Sequence, residues 1–211
     1  MRVPPALTNS VTAASKAPVV PPEEEYSAVS PVDGYPLRLP ALLAQPDDHL
    51  KLSTHQALLR QNIEAFEATP DDATIHARGR NRAILAGQVG IRCRHCKNLP
   101  VLQRQRGSTY FPNSLTGIYQ AVLNMNTVHM QVGVCTEMPA DLKNEFVNSM
   151  CTTKKHQSGA GKQFWAESGK RLGLVDTEED GIRFIRNVPQ GSKVLETITG
   201  FEKTKYTRAD K

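Results

Sequence analysis

The sequence has few cysteines, few aromatic residues and no long apolar run, and each shortage narrows the class of protein. Four cysteines in 211 residues are too few for a disulfide-stabilised secreted scaffold. No apolar stretch approaches the roughly 18–20 residues of a membrane-spanning helix, so we expect no membrane association. Aromatic residues make up only 6% of the chain, and a core so poor in them benefits from an additional cross-link.

Proline is concentrated at the start of the chain. Nine of the 14 prolines lie within the first 48 residues, interleaved with alanine, serine and valine. This composition favours no regular element and offers little to bury, so we predict a disordered arm over residues 1–49. The polar residues after Pro189 predict a flexible tail over 189–211. A folded domain is expected between them, over residues 50–188.

Acidic residues are absent from Ala73 to Thr136. The same segment contains eight basic residues, while the rest of the chain has a small excess of acid. Segregated positive charge indicates a polyanionic partner better than the overall net charge of +5 does. The predicted nucleic-acid-binding residues are Arg78, Arg80, Arg82, Arg92, Arg94, Lys97, Arg104 and Arg106. The alternative interpretation is a basic surface that is simply solvated.

Hydrophobic spacing predicts several helices. Ser53 followed by Gln56 forms a capping-box pattern at the start of the first helix. Another helix is expected after Pro112, and its apolar positions recur at alternating intervals of three and four, which places them on one face. That face comprises Leu115, Ile118, Val122, Met125 and His129.

A short β-hairpin is expected before that helix. Val89 and Ile91 alternate with small or polar residues, which is typical of a strand. Residues 99–106 are the predicted return strand. The fold class is therefore α+β: a small, mostly helical domain with a short β-hairpin.

Cys93 and Cys96 have C-x2-C spacing, which lets two thiolates in a tight turn bind one metal ion. His129 follows after 32 intervening residues, and Cys135 after five more. Three sulfur donors and one nitrogen donor match a tetrahedral zinc site. A histidine on a buried helix face also needs a partner, which a metal ion supplies. The sequence therefore predicts Zn²⁺ bound by these four residues, with the hairpin forming a zinc knuckle.

Other interpretations of these residues stay open. His129 alone would more often be a core histidine bonded to a carbonyl group, and Cys151, His156 or His95 could replace one of the ligands. The basic flanks of the C-x2-C pair should depress the thiol pKa, as in reactive thiols. However, the pair follows a strand instead of starting a helix, so a thiol oxidoreductase is the less favoured hypothesis.

The ligand pattern resembles that of BED-type zinc fingers, in which a C-x2-C knuckle is followed by a spacer and by His and a final His or Cys near a helix end. The resemblance covers about residues 88–136 and implies a DNA-binding module held by Cys93, Cys96, His129 and Cys135. The 32-residue spacer is long for that pattern, and its upstream aromatic residues are absent.

A second resemblance is to a family of uncharacterised algal proteins. It is carried by Gly79-Arg80-Asn81, by the run from Gly87 to Cys96, and by Gly173-Leu174-Val175-Asp176-Thr177. It spans about residues 53–185 and implies one domain, with no activity attached.

The predicted function is a zinc-binding DNA-binding protein without enzymatic activity, in which zinc is structural and the basic surface contacts phosphates. A nuclear location follows from DNA binding, and free thiolate ligands indicate a reducing intracellular compartment. The alternative is a zinc-stabilised protein-interaction module, with the proline-rich arm over 1–49 binding a protein partner.

Overall fold

The structure, a computed structural model, describes residues 34–36, 38–74, 83–131, 134–151 and 160–195. Within these ranges, six α-helices combine with two antiparallel sheets, which confirms the predicted α+β class. No helix in this part of the chain is both long and apolar enough to cross a membrane.

The first sheet has four strands, and neighbouring strands are antiparallel. In spatial order they are β1 (Ala41–Leu42), β2 (Ile63–Glu67), β3 (Val89–Cys93) and β4 (Thr109–Tyr110). The central pair, β2 and β3, runs from Ile63 opposite Cys93 to Glu67 opposite Val89. Nearly every residue of these two strands is buried, so the sheet places Cys93 in the core of the domain.

The second sheet has three strands in the order β6, β5, β7. They are β5 (Leu174–Thr177), β6 (Gly181–Phe184) and β7 (Val194–Leu195). Gly181 has a φ of 73°, a left-handed conformation that glycine adopts without strain and that closes the turn between β5 and β6. Buried residues of β5 and β6 join the same core as those of β3.

The helices are α1 (Asp48–Lys51), α2 (Thr54–Gln61), α3 (Pro70–Thr74), α4 (Ile118–Met125), α5 (Ala140–Cys151) and α6 (Ala160–Arg171). The predicted capping box is present at the start of α2. The backbone N–H of Gln56 donates to Ser53 Oγ at 3.1 Å, and the backbone N–H of Ser53 donates to Gln56 Oε1 at 3.3 Å. These two bonds satisfy groups that the first turn of a helix leaves unpaired.

Helix α4 is extended at both ends by turns of different pitch. A 3₁₀ turn, Leu115–Gly117, precedes it, and a π turn, Asn126–Met130, follows it. The predicted apolar face is confirmed, because Leu115, Ile118, Val122, Met125 and His129 are each at most 1% exposed. The second sheet contributes to the start of this helix, since Asp176 Oδ1 accepts the backbone N–H of Leu115 at 2.8 Å.

The folded region is wider than the predicted limits of 50 and 188. Strand β1 lies within the predicted arm and pairs with β2, and strand β7 lies within the predicted tail and pairs with β5. Two-residue strands have no hydrophobic pattern of their own, and only their pairing defines them. The rest of the predicted arm and tail, residues 1–33, 37 and 196–211, lies outside the described residues.

The predicted return strand over 99–106 is wrong. Residues Val101–Gln103 form a 3₁₀ turn, and the chain pairs with β3 only at Thr109–Tyr110. Gly107 lies between them with a φ of 75°, and a Cβ atom there would approach Val128 Cγ1 to 2.7 Å. The chain therefore turns against the π turn before it returns to the sheet, and this close approach requires glycine.

A buried ion pair joins α1 to α2. Arg60 is 1% exposed, and its Nε donates to Asp48 Oδ2 at 2.8 Å. The guanidinium group also donates to the Leu43 carbonyl oxygen and to Ser168 Oγ, and it lies 4.7 Å from the centre of the Trp165 ring. Burial lowers the pKa of Arg60, and the charge of Asp48 opposes that shift.

Replacing Asp48 with asparagine would leave the Arg60 charge buried without a counterion. We expect D48N to lower the free energy of unfolding by about 3–5 kcal/mol in urea denaturation. The matched control is D47N, because Asp47 pairs with Arg171 at the surface and should contribute less than about 1 kcal/mol. Equal effects of the two substitutions would contradict this account.

Candidate metal centre

The four predicted ligands come from three separate regions of the chain. Cys93 ends β3, and Cys96 ends the 3₁₀ turn Arg94–Cys96 that follows directly. His129 lies in the π turn, and Cys135 lies in the loop before α5. All four side chains are buried, with exposed fractions of at most 2%. The structure therefore brings these residues together inside the core.

The donor atoms are arranged at the spacing of a tetrahedral zinc site. Cys135 Sγ lies 3.9 Å from Cys93 Sγ and 3.7 Å from Cys96 Sγ. Cys96 Sγ lies 3.4 Å from His129 Nε2, and all four donor atoms lie within 4.8 Å of one another. Zinc–sulfur bonds of about 2.3 Å and zinc–nitrogen bonds of about 2.0–2.1 Å give tetrahedral edges of roughly 3.8 and 3.6 Å. The cluster can therefore hold a metal ion of this size with little rearrangement.

Hydrogen bonds among the three cysteine sulfurs shift their pKa values in different directions. Hydrogen bonds from Cys93 and Cys96 lower the pKa of Cys135, and His129 adds to that effect. Donation to Cys135 raises the pKa of Cys93, and burial acts in the same direction. Donation to Cys135 also raises the pKa of Cys96 to about 12. The pKa of Cys135 is therefore shifted in the opposite direction to those of Cys93 and Cys96.

The knuckle that carries Cys93 and Cys96 is fixed by backbone bonds to both neighbouring segments. The N–H of Cys93 donates to the Ser108 carbonyl at 2.9 Å, and the N–H of Arg94 donates to the Asn62 carbonyl at 3.1 Å. His95, one of the alternative ligands, contacts Asn62 instead, because its Nε2 lies 2.9 Å from Asn62 Oδ1. It therefore contacts the end of α2 and stands outside the cluster of four donors.

The side chains of the other two alternative ligands, Cys151 and His156, lie outside the described part of the chain. Cys151 ends α5, and the whole of His156 lies outside that part. For His129, the surroundings of the two ring nitrogens distinguish a metal ligand from a core histidine bonded to a carbonyl group. Nε2 faces the sulfurs, while Nδ1 is buried without a hydrogen-bond partner among the residues that the structure describes.

Two of the predicted phosphate contacts are ion-paired with acids from distant parts of the chain. Arg92 Nε lies 2.5 Å from Glu64 Oε1, and Arg104 Nη1 lies 2.5 Å from Asp72 Oδ1. Both guanidinium groups also lie over the Phe66 ring, at 4.5 and 5.8 Å from its centre. Arg92 and Arg104 are therefore held in the fold as packed ion pairs.

The remaining basic residues fall into two groups. Arg106 is exposed, whereas Arg94 and Lys97 are half-buried, with Arg94 Nη1 donating to the Gln61 carbonyl at 3.2 Å. Arg78, Arg80 and Arg82 lie outside the described residues.

Sequence reasoning missed Glu64 and Asp72, which pair with two of the five basic residues that the structure describes in the acid-free segment. They lie 28 and 32 positions from their arginines, and no local spacing rule links residues so far apart. Both acids precede the acid-free segment in the sequence, and that position alone does not indicate the pairing.

No model of a protein family matches the chain, no curated protein matches it, and no solved structure matches it. The resemblances to BED-type zinc fingers and to the algal family therefore stay predictions that rest on the sequence pattern.

Removing any one ligand should abolish stoichiometric metal binding. We expect the purified protein to contain about one zinc ion per chain, and C93S, C96S, C135S and H129A each to lose most of it. Elemental analysis after dialysis against a weak chelator provides the measurement. C151S is the matched control and should keep its zinc, and loss of zinc from C151S alone would transfer the ligand role to that residue.

Metal binding should release protons, because the pKa values of Cys93 and Cys96 are raised and both thiols must become thiolates as ligands. We therefore expect the affinity for zinc to increase with pH. Calorimetric titrations in buffers of different ionisation enthalpy measure the number of protons released. Binding without proton release at neutral pH would contradict the raised pKa of these two cysteines.

Proposed function

We propose that this chain is a zinc-binding protein in which a structural Cys3His centre supports a DNA-binding surface. The observation that carries the zinc assignment is the closed set of four buried donors at tetrahedral spacing. Catalytic zinc sites keep one position open for water or substrate, whereas structural sites are filled by four protein ligands. The four protein donors here match a structural site.

Zinc is the metal that best fits these donors. Thiolate and imidazole ligands in tetrahedral geometry favour zinc, while calcium and magnesium require oxygen donors. The ion would join the end of β3 to the π turn and to the loop before α5. Because these segments are distant in the sequence, the cross-link stabilises a core that has few aromatic residues.

Burial of the thiols supports a structural role over thiol chemistry. Reactive cysteines are partly exposed and carry a depressed pKa. Cys93 and Cys96, the two members of the C-x2-C pair, are 0% and 2% exposed, and each has a raised pKa. A disulfide substrate would have no access to them in this fold.

The charge distribution supports a DNA partner. The segment from Ala73 to Thr136 contains no acidic residue, and it supplies both the zinc knuckle and the loop after it. The Arg104–Asp72 ion pair fastens that loop to α3, and the chain continues from α3 into the segment that carries Arg78, Arg80 and Arg82. A nuclear location is part of the same proposal.

DNA binding should depend on salt. Each neutralised phosphate contributes about −0.9 to the slope of log K against log salt concentration. We expect a clearly negative slope for the zinc-loaded protein on duplex DNA. The R106A substitution should make the slope less negative by about 0.9, the contribution of one phosphate contact. R171A is the matched control, because Arg171 is exposed on α6 and outside the acid-free segment.

The experiment also separates this function from the alternative. A slope near zero, or capture of a protein partner without any DNA binding at low salt, would overturn the DNA proposal and favour a protein-interaction module. Neither result would affect the metal centre, which is tested by its zinc content.

A further inference from the structure

The loop after the zinc knuckle, residues 97–106, presents one apolar side chain to solvent. Leu102 is 88% exposed, more than any other large hydrophobic residue in the described part of the chain. It lies in the middle of the 3₁₀ turn Val101–Gln103, with Pro100 directly before that turn. We call residues 97–106 the knuckle loop.

Hydrogen bonds and an ion pair hold the knuckle loop to the neighbouring segments, although it lies at the surface. Its first residues follow the metal ligand Cys96, whose carbonyl accepts the N–H of Leu99 at 3.1 Å. The N–H of Gln103 donates to the Pro100 carbonyl at 2.8 Å, which closes the turn below Leu102. On the far side, the Arg104 ion pair and a hydrogen bond from Gln105 Nε2 to Thr136 Oγ1 fasten the loop to α3 and to the segment beside Cys135.

The loop combines this apolar side chain with positive charge. Lys97, Arg104 and Arg106 are its charged residues, and it contains no acid. Arg106, four positions after Leu102, is exposed. An isolated exposed leucine on a mixed surface has no particular meaning. A leucine held in a hydrogen-bonded turn near the exposed Arg106 is suited to a polyanion that also offers an apolar interior, and double-stranded DNA is such a partner.

We propose that Leu102 is a wedge that inserts between stacked base pairs of DNA, while Arg106 and Lys97 contact the adjoining phosphates. This inference rests on the proposed DNA binding and specifies how it occurs. Apolar wedges that partly unstack one base step are a known mode of minor-groove recognition. The hydrogen-bonded turn favours this mode, because a preformed loop loses less conformational freedom on binding.

The test uses the full-length, zinc-loaded protein and a DNA duplex that contains 2-aminopurine, whose fluorescence increases when its neighbours unstack. The wild-type protein should bind the duplex and increase the fluorescence. L102A should bind at least about tenfold more weakly and abolish the increase, because the wedge is truncated. L102F should keep both properties, because it preserves a large apolar side chain.

The matched control is L50A, since Leu50 is 71% exposed on α1, next to Asp47 and Asp48 and outside the basic segment. It should bind DNA and unstack the duplex like the wild type. The wedge is overturned if L102A binds within about twofold of the wild type, or if wild-type binding gives no increase in fluorescence. Salt-dependent binding that survives L102A unchanged would leave the proposed DNA binding intact, whereas absence of binding by the wild type would overturn both.

Discussion

The fold depends on one requirement, that four donor atoms from three distant regions of the chain meet inside the core. Cys93 arrives on a central strand, Cys96 on the turn that follows it, and His129 and Cys135 on either side of the end of a helix. The sulfur and nitrogen atoms of these four side chains lie within 4.8 Å of one another.

Local pattern was enough to predict the helical side of this arrangement. The capping box at Ser53 and the apolar face that ends at His129 depend on residues three or four positions apart, and helix geometry links such residues directly. The four candidate ligands followed from the chemistry of cysteine and histidine at suggestive spacing. Their grouping was found by combining a short motif with the phase of a helix.

The parts that sequence reasoning missed all depend on contacts between distant residues. Strands β1 and β7 exist only through their partners, and the return strand begins at Thr109 because Gly107 first brings the chain against the π turn. The charge of the folded surface also depends on contacts between distant residues. The segment without acids is basic in the sequence, yet Glu64 and Asp72 reach two of its arginines from outside it. A linear count of charges therefore overstates the positive surface of the folded domain.

The π turn after α4 makes the position of His129 sensitive to substitution of Gly107. Val128 packs against the backbone of residue 107, and the next side chain, His129, faces the sulfurs. Residue 107 is not one of the four donors. A methyl group added there would press on Val128 and so shift the neighbouring imidazole of His129. The position of one of the four donors thus depends partly on a residue outside the cluster. A change from glycine to alanine there would disturb the cluster without altering any of its four donors.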